Sequence, residues 1–110
     1  MPHAYQVEIS AGAEADLKSI FRYLAEQASV GQADAMLDAI LDKIMTLEMW
    51  PERGACPKEI EPLGLREFRQ VLVAPWRLIY RIAGSSVIIL VIADGRRDMQ
   101  SLLEQRLLGR

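Results

Sequence analysis

The sequence has a single cysteine, a single histidine and no long apolar run. Cys56 therefore has no second thiol with which to form an internal disulfide or a structural zinc site. The longest apolar run, residues 87–93, is far shorter than the roughly 20 residues that a helix needs to span a bilayer. Because the N-terminus also has no basic start followed by an apolar core, we expect no export signal and no membrane association, and a cytoplasmic protein.

Recognisable catalytic patterns are absent as well. His3 lies near the N-terminus, so the chain offers no histidine-based triad and no obvious general base. The glycine-rich loops that bind phosphates or dinucleotides are missing. Two close acidic pairs are interpreted as solvated side chains, namely Glu14/Asp16 and Glu59/Glu61. The sequence therefore predicts no metal and no cofactor, and its residue chemistry favours a binding protein.

A basic excess is also lacking. Lysine and arginine number 13 against 15 aspartates and glutamates, which gives a formal net charge of −2. Proteins that bind nucleic acid mainly through phosphates usually carry a clear positive excess, so extensive RNA or DNA binding is disfavoured. A local basic surface nevertheless stays open, because the charges are unevenly placed along the chain. Acids recur at helical spacing at Asp34, Asp38 and Asp42, whereas the second half carries Arg66, Arg69, Arg77, Arg81, Arg96 and Arg97.

The chain does contain enough apolar material to fill a core. Hydrophobic residues make up 51% of it and charged residues 25%, a balance that excludes a disordered, low-complexity protein. In a chain of 110 residues a second core would leave each half too small to be stable. Residues 1–110 are therefore expected to form one domain.

The first half of the sequence predicts one strand and two helices. Residues 5–9 alternate between apolar and polar side chains, the period of two that is typical of a strand with one buried face. Apolar residues then step by three and four over residues 13–28, which predicts a helix. Residues 29–31 break this pattern, and it resumes over residues 33–47. Such a short break predicts two helices packed as an antiparallel hairpin.

The middle of the sequence predicts a loop followed by two strands. Residues 50–64 are dense in proline and glycine, which leaves room for a loop or at most one turn of helix. Residues 68–73 and 76–82 have the composition and alternation of strands. Ala74-Pro75 lies between them and predicts a turn.

The last third predicts the central strand and a final helix. Gly84-Ser85 predicts a two-residue hairpin turn with glycine first. Residues 87–92 are apolar on both faces, which is typical of a central strand. Asp94-Gly95 ends that strand, and the apolar spacing of residues 99–107 predicts an amphipathic helix, with Asp98 as a candidate cap.

These elements predict the α+β class. The order is an N-terminal strand, an antiparallel helical hairpin, a three-stranded antiparallel meander and a C-terminal helix, with the hairpin packed across the sheet. The first strand is expected at an edge, beside the C-terminal strands. The aromatic residues are interpreted as core or loop-anchoring residues rather than as platforms for nucleic-acid bases: Trp50, Trp76, Tyr23 and Tyr80.

The arginines of the second half form the candidate functional site. Arg77 and Arg81 are four residues apart on a strand, so they leave the same face about 13 Å apart. With Arg69 on the preceding strand and Arg96 and Arg97 after the central strand, four or five guanidinium groups are expected near one end of the sheet. Such a group would bind carboxylate or phosphate. The alternative is that each arginine is an ordinary partner of a nearby acid: Glu67, Asp94 or Asp98.

Six segments of the chain, taken in order, resemble the ParE/RelE toxin superfamily. They are Tyr5-Gln6-Val7, Ala15-Asp16-Leu17 with Ile20 and Tyr23-Leu24, Leu47 with Trp50-Pro51, Gly64-Leu65-Arg66-Glu67, residues 76–82 and residues 94–98. The resemblance implies a RelE/ParE-like fold and a toxin encoded beside its antitoxin. It further implies that the antitoxin wraps the toxin with an extended or helical segment that folds as it binds.

The two branches of the superfamily act differently. RelE-like members cut messenger RNA on the ribosome, and ParE-like members inhibit DNA gyrase. In the RelE pattern, arginines that match Arg77 and Arg97 stabilise the scissile phosphate, with help from basic residues near Arg69. A tyrosine of the last helix transfers a proton, but Leu103 stands at that position here. Since losing a general acid or base typically costs about a hundredfold or more in rate, the resemblance favours the ParE branch and gyrase inhibition.

Three functions stay open at this point. They are a gyrase-targeting toxin, a ribosome-dependent mRNA endonuclease, and a member without toxicity that only binds its antitoxin. No catalytic residue is expected unless the chain is RelE-like, in which case Arg77, Arg97 and Arg69 are the candidates. In every case a hetero-oligomer with the antitoxin is expected. The candidate contact residues for antitoxin or target are Arg69, Arg77, Arg81, Arg96, Arg97 and Arg106.

Overall fold

The computed structural model describes residues 4–64 and 66–108. Its helices and strands are β1 (Gln6–Ile9), α1 (Ala11–Gln27), α2 (Val30–Met45), β2 (Phe68–Val73), β3 (Trp76–Ala83), β4 (Ser86–Asp94) and α3 (Met99–Leu108). Short 3-10 turns lie at Thr46–Glu48, Pro51–Arg53 and Glu61–Leu63, the last two within the predicted loop. His3 and Leu65 lie outside the described residues. Within the described ranges, no helix has both the length and the apolar character to cross a membrane.

The four strands form one mixed sheet in the order β1-β4-β3-β2. Strands β2, β3 and β4 are antiparallel neighbours, as the predicted meander requires. The central position of β4 and the edge position of β1 are confirmed. The sheet is more than the predicted antiparallel meander, because β1 is its fourth strand and runs parallel to β4. In the sequence, the helical hairpin comes between β1 and the meander. It provides the long connection that is needed when two strands of one sheet run parallel.

Both long helices begin earlier than their apolar spacing predicts. The backbone N–H of Ala13 donates to the Ser10 hydroxyl at 3.1 Å, and α1 begins at Ala11. In the same way Gln32 donates to the Ser29 hydroxyl at 3.0 Å, and α2 begins at Val30. A serine hydroxyl at this position satisfies one of the free N–H groups of the first turn. The break at residues 29–31 is therefore a helix cap followed directly by helix.

A β-bulge in β4 shifts the alternation of its side chains between the two faces of the sheet. Ile79 of β3 pairs with Val91, whereas the next residue, Tyr80, pairs with Ile89. Leu90 is therefore the extra residue of the bulge. The alternation of faces shifts there, so Ile89 packs against the helical hairpin and Val91 packs beneath α3.

The two faces of the sheet carry two clusters of buried residues. The cluster under the α1–α2 hairpin includes Leu17, Ile40, Ile44, Leu78 and Tyr80. The cluster under α3 and the 50–64 loop includes Ile60, Phe68, Ile79, Met99 and Leu103. Because α3 covers the second cluster, it is a packed part of the fold.

Candidate functional site

The sheet has an unpaired edge where β4 continues past the end of β1. The last paired residues are Ile9 and Ile89, and the N–H of Ser10 donates to the Ile89 carbonyl at 3.0 Å. Strand β4 runs on to Asp94. Backbone groups on this side have no neighbouring strand, and they need other partners or remain open to a ligand.

Two side chains take the place of the missing strand at residues 90–92. Asp16 of α1 accepts the Ile92 N–H at 2.9 Å, and Arg106 of α3 donates to the Leu90 carbonyl at 2.8 Å. Arg106 also donates to both oxygens of the Asp16 carboxylate, at 3.0 and 3.1 Å. This Asp16–Arg106 clip joins α1, β4 and α3, with 18% and 26% of the two side chains exposed.

Gly12 makes room for the clip on the first turn of α1. A Cβ atom at this position would lie 2.9 Å from Nη1 of Arg106 and 3.2 Å from its Cδ. The absence of a side chain therefore lets the guanidinium group reach Asp16 across the helix surface.

Beyond the clip, two backbone groups of β4 remain open. The N–H of Ile92 points away from β3 because it bonds Asp16, and alternation turns the Ile92 carbonyl and the Asp94 N–H to the same side. Within the described parts of the chain neither group has a hydrogen-bond partner. The Asp94 carbonyl, by contrast, accepts the Arg97 N–H at 3.1 Å. One donor and one acceptor therefore face solvent on this edge.

A groove of about 510 Å³ lies along this edge. Ser19, Ile20 and Tyr23 of α1 line one wall, and the other wall is the end of β4 with Trp76 beside it. Arg96 and Arg97 also line it. We call this feature the β4-edge groove.

Trp76 adds a polar group that lacks a partner. Only 8% of the residue is exposed, and its indole Nε1 is buried with no hydrogen-bond acceptor among the described residues. A buried donor without an acceptor costs roughly 1–3 kcal/mol, and buried polar groups are nearly always bonded. The indole N–H of Trp76 is therefore an unbonded donor inside the protein, next to the groove that the residue lines.

The candidate arginine Arg77 is held by an acid that the sequence did not suggest. Its Nη1 and Nη2 donate to the two carboxylate oxygens of Glu59 at 2.7 and 2.8 Å, and its Nε donates to the Gln70 side chain at 2.7 Å. Only 13% of the arginine side chain is exposed. These bonds lower the pKa of Glu59 and raise the pKa of Arg77.

Arg69 lies on the opposite face of the sheet. It pairs with Tyr80, whose ring packs under the helical hairpin, and it donates to the carbonyls of Glu52 and Gly54 at 3.0 and 2.8 Å. Arg81 shares a face with Arg77, as predicted, because both alternate with the hairpin-facing residues of β3. The predicted gathering is therefore wrong for Arg69, which anchors the 50–64 loop.

Two of the predicted arginines, Arg96 and Arg97, lie at the far end of β4, and only the stem of Arg77 comes close to them. Arg96 pairs with Asp94 through bonds of 2.8 and 3.0 Å while 86% of its side chain stays exposed. These bonds lower the pKa of Asp94 to about 2. Arg97 is exposed beside it, and the stem of Arg77 lies 3.2 Å from where a Cβ of Gly95 would be. The remaining candidate, Arg106, belongs to the clip.

Several sequence-based interpretations need correction. Asp16 and Glu59 are not solvated, since each bonds an arginine from a distant part of the chain. Of the four aromatic residues interpreted as core or loop-anchoring, Trp76 and Tyr80 are buried, but Tyr23 is 56% exposed and Trp50 66% exposed, so these two are not core residues. Asp98 does cap α3, accepting the Ser101 N–H at 3.1 Å.

The sequence pattern could have shown that Asp16 is partly buried and needs a partner, but it gave no such indication for Glu59. Asp16 falls on the apolar stripe of α1, three residues after Ala13 and four before Ile20, both of which are buried. An acid on a buried helix face needs a partner. Glu59 lies in an irregular loop, where no periodicity shows which way a side chain points.

Comparison with known proteins identifies the family to which this chain is similar. The model of the family described as "ParE toxin of type II toxin-antitoxin system, parDE" matches residues 7–99. Toxin ParE3 of Caulobacter vibrioides is 35% identical over 91 residues, which cover 83% of this chain and 87% of that protein.

Solved structures share the fold at lower sequence identity. The chromosomal ParDE TA system from P. aeruginosa has a TM-score of 0.70 at 20% identity, over 84% of this chain and 97% of that one. The toxin–antitoxin complex RelBE2 from Mycobacterium tuberculosis has a TM-score of 0.60 at 22% identity, over 83% of this chain and 98% of that one. Because the family model spans most of the sequence and a relative at 35% identity covers 83% of it, the chain belongs to the ParE toxin family of type II toxin–antitoxin systems.

Proposed function

We propose that this ParE-family toxin is neutralised by direct binding of a protein antitoxin and arrests growth by inhibiting DNA gyrase in the cytoplasm. The choice of gyrase as the target rests on one observation, namely how the residues that an RNA-cutting toxin would need are bonded and buried in this protein. A nuclease of this superfamily requires free guanidinium groups at the scissile phosphate and a group that transfers a proton.

Two of the positions that the resemblance indicates do not meet these requirements. Arg77 is bonded to Glu59 and Gln70 and is largely buried, so its guanidinium group is occupied. Leu103 is fully buried against the sheet, where it offers packing and no exchangeable proton. Arg97 is the one candidate of the three that stays exposed without a side-chain bond among the described residues.

Antitoxin binding is supported by the family and by the open surface of this chain. The relative from Mycobacterium tuberculosis is described as a toxin–antitoxin complex. Here the β4-edge groove offers unpaired backbone groups beside exposed arginines, the kind of surface that an extended partner segment can pair with.

The test is a supercoiling assay with purified chain, DNA gyrase, ATP and relaxed plasmid, with and without antitoxin. We expect loss of supercoiling or accumulation of cleaved DNA, and recovery when antitoxin is added before the toxin. A preparation that arrests growth in cells but leaves gyrase fully active would contradict the proposal. Cleavage of messenger RNA on purified ribosomes would then support the endonuclease alternative.

The third alternative is a member that binds antitoxin without toxicity. Expressing the chain without antitoxin distinguishes it from the two toxic alternatives. Induction of the chain without antitoxin is expected to stop colony formation, and co-expression of the antitoxin is expected to restore it. Normal growth with confirmed accumulation of folded toxin would favour the inert alternative.

A further inference from the structure

Arg77 is held in an orientation that suits a two-oxygen anion. Its Nε donates to the Gln70 side chain at 2.7 Å, and its stem packs so closely on Gly95 that a Cβ there would lie 3.2 Å from Cδ. These contacts fix the guanidinium plane without using Nη1 and Nη2. Both of those nitrogens donate to the Glu59 carboxylate, at 2.7 and 2.8 Å. A guanidinium group bonds two oxygens of a phosphate in the same side-by-side way.

The turn that carries Glu59 is anchored by apolar residues on both sides of it. Pro57 is fully buried and Ile60 is 1% exposed, and the Ile60 N–H donates to the Pro57 carbonyl at 3.3 Å. Ile60 also packs in the cluster under α3. Because apolar burial holds the turn in place, the turn presents the carboxylate to Arg77. Removing the carboxylate should therefore leave the turn where it is.

A second cation acts on the same carboxylate. The hydrogen bond from Arg77 lowers the pKa of Glu59, and the nearby charge of Lys58 lowers it further. Lys58 is exposed, and 28% of the Glu59 side chain is exposed as well, so this position is open to solutes. Without Glu59, an ammonium and a guanidinium group would both act on whatever anion took its place. Phosphate groups are the anions that such a combination commonly binds in proteins.

We infer that Glu59 is an internal carboxylate that closes an anion-binding site at Arg77 and Lys58, and that it thereby keeps the phosphate groups of nucleic acid off this surface. Glu59 competes well because it belongs to the same chain, which gives it a far higher effective concentration than a phosphate in solution. It also repels a second anion by its charge, a form of specificity that works by excluding the wrong ligand. The inference goes beyond the choice of gyrase as the target, because it concerns a ligand that the surface rejects.

The first experiment opens the site and measures binding of a short, labelled single-stranded RNA by fluorescence anisotropy. Glu59→Ala should bind this RNA about tenfold or more tightly than the unmodified chain, because the two cations are then free for its phosphates. Glu61→Ala is the matched control, since it removes the same charge from an exposed acid two residues away and should gain about twofold at most. Equal gains in the two variants would attribute the effect to net charge and would overturn the inference.

The second experiment asks whether the gain depends on Arg77. The double variant Glu59→Ala/Arg77→Gln should return to the weak binding of the unmodified chain. Glu59→Ala/Arg66→Gln loses the same charge at an exposed arginine and should keep most of the gain. A gain that survives the loss of Arg77 would overturn the inference. If circular dichroism shows that Glu59→Ala is unfolded, Glu59→Gln and Glu61→Gln take its place and that of its control in the same assays, with an expected difference of about threefold or more.

The third experiment observes the guanidinium group directly with inorganic phosphate as the probe. In Glu59→Ala the NMR signal of the Arg77 Nε–H should shift in a saturable way as phosphate is added, and in the unmodified chain it should not move over the same range. An unmoved signal in Glu59→Ala would overturn the inference. A shift with phosphate but no gain in RNA binding would show that the site takes a free ion only, and would overturn the exclusion of nucleic acid.

The gyrase assay keeps this inference separate from the proposed function. Glu59→Ala should inhibit supercoiling as strongly as the unmodified chain does, because the opened site adds a ligand and removes no target contact. If the unmodified chain leaves gyrase fully active, the proposed target is wrong, but the RNA comparisons between Glu59→Ala and Glu61→Ala still decide whether Glu59 closes the site.

Discussion

Tyr80 shows how one side chain can organise a loop that contains no regular secondary structure beyond single turns. Its hydroxyl donates to the Pro51 carbonyl at 2.6 Å and accepts the Gly54 N–H at 3.1 Å, although the residue is fully buried. A Cβ at Gly54 would lie 2.6 Å from this hydroxyl and 2.4 Å from the Gln70 carbonyl oxygen. The loop therefore approaches the sheet closely only because residue 54 is glycine.

Removing this hydroxyl should destabilise the protein. Tyr80→Phe leaves a buried carbonyl and a buried N–H without partners, so the free energy of unfolding should fall by about 1–3 kcal/mol. Urea denaturation followed by circular dichroism measures the change. Tyr23→Phe is the matched control, since Tyr23 is 56% exposed and should change stability by less than about 0.5 kcal/mol. Equal effects of the two substitutions would contradict the anchoring role.

The Glu59–Arg77 pair should make stability depend on pH in the acid range. Arg77 holds the pKa of Glu59 below its ordinary value of 4.5, so the folded state favours the ionised carboxylate. The pair therefore stabilises fully above about pH 4.5, and its contribution is lost as the pH falls through the lower folded-state pKa. Arg77 itself stays charged throughout this range.

Glu59→Gln isolates that contribution. The variant should be less stable than the unmodified chain by about 1–2 kcal/mol at pH 7, and the difference should shrink steadily below pH 4.5. Denaturation midpoints at several pH values give the curve. Glu61→Gln changes an exposed acid two residues away and should show no such pH-dependent difference. A gap that persisted unchanged at pH 2 would mean that shape, and not charge, explains the loss.

At the scale of elements, the Asp16–Arg106 clip decides how α3 is attached. Arg106→Gln removes the donor to the Leu90 carbonyl and leaves the Asp16 carboxylate, 18% exposed, without its cation. We expect a loss of about 1–3 kcal/mol and faster hydrogen exchange of the amides in α3. Arg22→Gln removes an exposed arginine from α1 and serves as the control. A stable variant with unchanged exchange would show that apolar packing alone holds the helix.

Elements with a strong period were predictable from sequence, and contacts between them were not. The alternation of residues 76–82 and the apolar run of β4 gave their places in the sheet, because burial on one or both faces shows directly in composition. The direction of β1 leaves no such trace, and neither does the bulge at Leu90. Asp16 and Arg106 are 90 positions apart, so only the assembled fold brings them together.

At the scale of the whole molecule, charge is sorted between two regions. Asp34, Asp38 and Asp42 are exposed along α2, whereas Arg96 and Arg97 lie with the groove at the end of β4. A net charge of −2 therefore conceals an uneven distribution, in which α2 is acidic and the end of β4 carries two arginines, one of them paired with Asp94.

Substitutions at the two residues of the Glu59–Arg77 pair also distinguish a structural role of Arg77 from a catalytic one, by their effect on growth arrest in cells. Arg77→Gln and Glu59→Gln both break the ion pair, but the first removes the guanidinium group and the second leaves it bonded only to Gln70. If Arg77 only supports the fold, both variants should arrest growth to the same extent at a temperature where both stay folded. If Arg77 stabilises a scissile phosphate, Arg77→Gln should abolish arrest and Glu59→Gln should retain or increase it. We expect equal arrest, scored as colony counts after induction at matched toxin levels. A selective loss in Arg77→Gln would show that the guanidinium group acts directly on the target, and cleavage of messenger RNA on purified ribosomes would then overturn the gyrase proposal.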